Sequence, residues 1–121
     1  MPRVLADYGY AEHAFRLITQ EEFPGWGYWI RKGATTLWED WSGGSSHNHI
    51  MFGDVSAWMF EYLAGVKPLK NGFAEFRVAP NVVGGLTNLI MTHDAPCGKI
   101  VVDWTREEKR FILTLTVPKG A

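Results

Sequence analysis

The sequence predicts an α+β chain, with two helices and a long loop in its first half and an antiparallel sheet in its second. Two observations predict it. Apolar residues recur at helical spacing up to about residue 65, and they alternate with polar ones from about residue 76 onward. Between these patterns, Lys67-Pro68 and Asn71-Gly72 punctuate the chain and predict a linker near residues 66–72.

In the first half, Val4, Tyr8, Ala11, Phe15 and Ile18 are spaced so that they share one face of a helix. Pro24-Gly25 ends any continuation, and residues 20–48 read as a loop broken by Gly25, Gly27, Gly33, Gly43 and Gly44. A second helix is predicted over about residues 50–65, with Phe52, Val55, Met59, Tyr62 and Val66 as its stripe. Ile50, Met51, Ala57, Trp58 and Leu63 fill much of the remaining circumference, so this helix has to be covered on most sides. In the second half, Phe76 and Val78, then Leu89 and Met91, then Ile100, Val102 and Trp104, then Phe111, Leu113, Leu115 and Val117 alternate with their neighbours. The joins NVVGG, DAPCG and TREEK are turn-like, which predicts a four-stranded antiparallel meander. Apolar residues on both sides at 100–102 and 111–113 predict a sheet covered on both faces, a partial β-sandwich.

Composition narrows the function classes. The chain has 121 residues and balances 12 Lys+Arg against 13 Asp+Glu, a net charge of −1. Such a balance offers no long-range attraction to nucleic acid or to an anionic membrane, and neither is an expected partner. The single Cys97 has no partner for an internal disulfide. No run approaches the ~18 apolar residues of a membrane span, and MPRVLADYGYAEH lacks the apolar core of a secretion signal. Six Trp, four Tyr and seven Phe suit either a bulky core or the apolar face of a sugar ring.

The polar functional groups concentrate in GATTLWEDW at 33–41 and SGGSSHNH at 42–49. Glu39 sits between Trp38 and a second indole, Trp41, and a carboxylate desolvated by such neighbours is tuned toward proton transfer. An exposed loop glutamate beside two anchoring tryptophans is the plainer alternative. His47, Asn48 and His49 admit three uses: metal ligation with Glu39, hydrogen bonds to sugar hydroxyls, or a helix start capped by Ser46 or Asn48. The H-N-H string does not indicate a nuclease, because no basic patch accompanies it. Trp26, Trp29, Trp38 and Trp41 either anchor the loop or form a stacking wall for a pyranose, while Trp58 and Trp104 follow element periodicity and belong to the core.

The stretches GWGYWIRKGATTLWEDW, SSHNHIMFGDVSAWMFEYLAGV, FAEFRVAP and TREEKRFILTLTVP run in order from about Leu5 to Pro118. Together they resemble the C-terminal region of bacterial α-L-rhamnosidases of glycoside hydrolase family 78. The pattern G-A-T-T-x-W-E, then S-x-N-H with a glycine four residues on, then F-x-x-F-x-[VI]-x-P is specific to it. The resemblance implies an (α/α)6 catalytic barrel followed by a small β-sandwich. Residues 1–66 would be the C-terminal portion of the barrel, and residues 72–121 an incomplete sandwich. It implies inverting hydrolysis of terminal α-L-rhamnosyl residues, with Glu39 as general base, His49 contacting rhamnose, and Trp26 and Trp38 in the site wall. The family's general acid lies upstream, in a part of the barrel absent from this chain, so the chain alone is expected to be inactive. No cofactor and no metal are expected. The expected partners are a rhamnosylated glycan or glycoside, and either the remainder of the barrel or, for the isolated chain, a second copy. The alternative from another class is a non-catalytic carbohydrate-binding or scaffold domain.

Overall fold

The first helical stretch is two helices, α1 (Pro2–Asp7) and α2 (Ala11–Thr19), where the apolar spacing predicted one. Gly9 separates them. Its φ of 86° is left-handed, and the amides of Gly9 and Tyr10 return to the carbonyls of Ala6 and Leu5 at 3.1 and 2.7 Å. These two bonds close the end of α1 and turn the chain out of the helix. Val4 and Tyr8, predicted on the buried face, are therefore exposed, and Ala11, Ala14 and Ile18 form the buried face of α2. In this computed structural model, which describes residues Met1–Ala121, the chain divides into two units, Met1–Trp58 and Met59–Ala121.

In the first unit the region read as loop contains a further helix, α3 (Trp26–Arg31). Gly27 permits its close approach to α2, because a Cβ there would lie 2.3 Å from the Gln20 carbonyl oxygen. The second predicted helix is also divided. A 3₁₀ turn at Ile50–Phe52 precedes α4 (Asp54–Trp58), and a π-helical turn at Met59–Leu63 opens the second unit. Val55 and Trp58 are buried, whereas Met59, expected on the stripe, is more than a third exposed. The change of helix type explains the shift: each type advances the side chains by a different angle, so one regular stripe cannot persist.

The second unit holds five strands in two sheets. Val66–Pro68 (β1) pairs antiparallel with Phe76–Val78 (β2), with Val66 opposite Val78. The sequence had placed β2 in the meander and residues 66–72 in a linker. Their turn is fixed locally: the amides of Leu69 and Lys70 donate to the Glu75 carbonyl at 2.8 and 3.1 Å, and Lys70 Nζ lies 2.7 Å from Glu75 Oε2. Asn88–Ala95 (β3), Gly98–Arg106 (β4) and Phe111–Thr116 (β5) form the meander in sequence order. Its register places Leu89 opposite Trp104 and Met91 opposite Val102, with Leu113 opposite Trp104 on the other side. Ala64, Val66, Met91, Val102 and Trp104 form the buried core of this unit, as the period-two pattern predicted for Trp104. Trp104 also donates through Nε1 to the Leu63 carbonyl at 3.2 Å, which satisfies its buried N–H. β5 differs from expectation, because none of its residues is buried and both of its faces stay open.

Candidate active site

The segment after α3 folds back on itself. The His49 amide donates to the Leu37 carbonyl at 2.8 Å, and the Glu39 amide to the Ser46 carbonyl at 2.9 Å. The Thr36 hydroxyl adds a bond to the His47 carbonyl. These contacts lay residues 36–39 beside residues 46–49 and bring Glu39 and His49 onto facing segments. Glu39 is half-buried, and its Oε2 accepts the Ser46 amide at 3.3 Å. His49 is likewise half-buried and sits immediately before the 3₁₀ turn. That turn has no side-chain cap, so neither Ser46 nor Asn48 serves as the predicted cap; instead the Asn48 amide donates to Ser46 Oγ at 3.2 Å.

The tip of this hairpin is gathered by one carboxylate. Asp40 Oδ1 accepts the amides of Ser42, Gly43 and Gly44 at 2.7, 2.9 and 3.4 Å, and also the Ser42 hydroxyl. Hydrogen bonds to a carboxylate favour its charged form. The Ser42 hydroxyl is the largest influence, and Asp40 is lowered from 3.8 to about 2. Asp40 is not among the candidate site residues that the sequence singles out. The D-x-S-G-G spacing of a side chain that binds its own following amides was the available signal.

Beneath the hairpin lies an aromatic cluster. Trp29 is buried, with its centroid 4.5 Å from that of Trp41 and 5.8 Å from that of Trp38. Trp41 packs 4.4 Å from Phe52 and edge-to-face with Trp26 at 5.1 Å. Two indole N–H groups tie the cluster to backbone, Trp29 to the Trp41 carbonyl and Trp26 to the Phe52 carbonyl, both at 3.1 Å. Trp38 is buried with its ring stacked on His47, at 4.4 Å and 14°. The two indoles that flank Glu39 in sequence thus pack on other rings, and the partner of its carboxylate is a backbone amide.

Trp26 has a different setting from the other predicted site residues. Together with Trp41, Met51, Phe52 and Asp54 it lines an apolar cleft of about 480 Å³ that includes neither Glu39 nor His49. Asp54 in that cleft pairs with Arg3 at 2.9 Å. The metal reading of His47, His49 and Glu39 does not fit this geometry. His47 is committed to Trp38 through its ring and to the Gly43 carbonyl through Nε2 at 2.9 Å. No three imidazole, carboxylate or thiol side chains gather in a way that could hold a metal ion.

Comparison with known proteins agrees with the resemblance seen in the sequence. A family model described as the bacterial alpha-L-rhamnosidase 6 hairpin glycosidase domain matches residues 1–63, and one for the bacterial alpha-L-rhamnosidase C-terminal domain matches residues 65–121. An alpha-L-rhamnosidase of Streptomyces avermitilis is 36% identical over 126 residues, covering 95% of this chain and 12% of that protein. Among solved structures, the alpha-L-rhamnosidase from Dictyoglumus thermophilum is 38% identical with a TM-score of 0.92, over 99% of this chain and 14% of that one. The Streptomyces avermitilis alpha-L-rhamnosidase complexed with L-rhamnose is 33% identical with a TM-score of 0.93, over 98% of this chain and 13% of that one. The chain therefore spans about one-eighth of the length of the relatives it matches. With both family models placed end to end along its length, this chain belongs to the bacterial α-L-rhamnosidases and corresponds to the C-terminal region of those enzymes.

Proposed function

We propose that this chain forms the C-terminal part of an inverting α-L-rhamnosidase, in which Glu39 is the general base for the hydrolysis of terminal α-L-rhamnosyl residues. In this reading residues 1–66 complete the catalytic barrel, residues 72–121 belong to the C-terminal sandwich, and the general acid is supplied from outside the chain. The observation that carries it is the hairpin in which Glu39 and His49 lie on facing segments, with the Glu39 carboxylate held by the Ser46 amide.

Inversion needs a carboxylate that draws a proton from water while the water attacks the anomeric carbon. An acid on the opposite face protonates the leaving oxygen, with the two carboxyl groups roughly 6.5–9.5 Å apart. Glu39 is suited to the first role because it is a partly exposed acceptor whose orientation is set by backbone rather than by a mobile side chain. His49 donates to sugar hydroxyls. Trp26 presents an indole at the neighbouring cleft, and Trp38, buried under His47, supports the hairpin from below.

The test uses a chimaera of the Streptomyces avermitilis rhamnosidase in which this chain replaces the matching stretch. Proton NMR of a fresh reaction on an aryl α-L-rhamnoside is expected to show β-L-rhamnose as the first product. The isolated chain is expected to give no turnover. First release of the α-anomer, or turnover by the chain alone that Glu39→Gln abolishes, would overturn the reading.

A further inference from the structure

We infer that Asp40 is a positioning residue for Glu39, acting through a latch that folds residues 42–46 over the Trp38 ring. This rests on the assignment of Glu39 as general base, and it adds the part of the hairpin that holds the base in place.

Three contacts make the latch. Asp40 Oδ1 collects the consecutive amides of Ser42, Gly43 and Gly44, so one oxygen fixes the path of the tip. Gly43 then lies directly on the indole: its φ is 78°, and a Cβ there would stand 2.5 Å from Trp38 Cζ3 and 2.8 Å from Cε3. The Gly43 carbonyl accepts His47 Nε2 at 2.9 Å, and the His47 ring stacks on Trp38. The tip is thereby closed onto a buried ring through both Gly43 and His47. The next residue back along the chain from His47 is Ser46, whose amide holds Glu39 Oε2 and whose carbonyl holds the Glu39 amide.

The physical consequence is that Glu39 has little freedom of its own to lose. Asp40 is its chain neighbour, and Ser46 reaches it from the far side of the latch. An inverting base has to sit within about an ångström of one distance from an acid on another part of the enzyme, because misplacement on that scale costs roughly 10²-fold in rate. A hairpin tip rich in glycine and serine would not hold that tolerance unaided. The Asp40 oxygen supplies the missing rigidity through bonds to a charged acceptor, the stronger kind.

The test is NMR on the full 121-residue chain with Asp40→Ala and Asp40→Asn variants. Amide exchange is read at Gly43, Gly44 and Ser46, the carboxyl ¹³C shift at Glu39, and amides of β4 report that the chain is folded. Asp40→Ala is expected to speed exchange at least ~10-fold at all three amides and to move the Glu39 carboxyl signal. Asp40→Asn, which keeps an acceptor oxygen in the same place, is expected to restore most of both. Faster exchange confined to Gly43 and Gly44, with Ser46 and the Glu39 signal unchanged, would overturn the proposal. That outcome would leave the base assignment standing, because kcat of the chimaera carrying Glu39→Gln tests it separately.

Discussion

The amide of Glu39 donates to the Ser46 carbonyl at 2.9 Å, and the amide of Ser46 returns to Glu39 Oε2 at 3.3 Å. This reciprocal pair makes the carboxylate part of a backbone structure, so changes elsewhere in the hairpin reach it.

His49 lies on the segment opposite Leu37 in the same hairpin, and its proposed work is to bind the sugar rather than to move a proton. In the chimaera, His49→Ala is expected to raise KM for an aryl α-L-rhamnoside by roughly 10- to 100-fold, the loss of a hydrogen bond of about 1–3 kcal/mol. A fall in kcat with KM unchanged would place His49 in the chemistry instead.

Gly43 is constrained twice, by a φ of 78° and by contact with Trp38. Gly43→Ala is expected to destabilise the first unit by about 1–3 kcal/mol, from backbone strain and overpacking together. Urea unfolding followed by tryptophan fluorescence measures it. An unchanged midpoint would show that the tip does not press on the ring.

The depressed carboxyl of Asp40 gives the hairpin a pH dependence of known sign. A group whose folded-state value lies below its unfolded one stabilises the fold above the unfolded value, and that contribution is lost as the pH falls through the folded one. With an ordinary value of 3.8 and a folded one of about 2, the latch is expected to loosen as the pH drops from about 4 to about 2. The Ser42, Gly43 and Gly44 amide shifts should titrate together over that window. Midpoints near 4 would mean that the bonds to Asp40 are not held in solution.

Much of the second unit was legible because period-two alternation maps directly onto burial. Ile100, Val102 and Trp104 are the buried positions of β4, as their spacing implies. The helical half was harder to read. The spacing of Val4 and Tyr8 fits a long helix, but Gly9 closes it with two local hydrogen bonds that apolar periodicity does not register. Likewise β2 pairs with β1 because of bonds made around Glu75, and alternation alone says which face is apolar, not which strand is the neighbour. In the hairpin, motif singles out Glu39 and His49 as candidates. Asp40 is marked only by its D-x-S-G-G spacing, because its contacts run mostly to the backbone amides that follow it.

Trp104 shows what the second unit depends on. It is fully buried and bonded to the Leu63 carbonyl. Trp104→Ala is expected to destabilise the unit by about 3–5 kcal/mol, combining a cavity with an unsatisfied carbonyl. Trp104→Phe should lie between it and the wild type. Thermal or urea denaturation orders the three, and equal stability of Phe and Ala variants would mean that the hydrogen bond dominates.

β5 is an edge strand without a charge, and Phe111, Ile112, Leu113 and Leu115 are 44%, 43%, 37% and 41% exposed. Exposed apolar edges associate. The isolated chain is expected to self-associate in sedimentation velocity, and Leu113→Lys with Leu115→Lys to reduce it. A monodisperse monomer of the unmodified chain would oppose this.

The most direct measurement is kcat of the chimaera carrying Glu39→Gln on an aryl α-L-rhamnoside. Loss of the carboxylate proposed to activate water is expected to lower kcat roughly 10²- to 10⁴-fold with KM little changed, the size of a general-base contribution. A kcat within a few fold of the parent chimaera would show that another group activates the water.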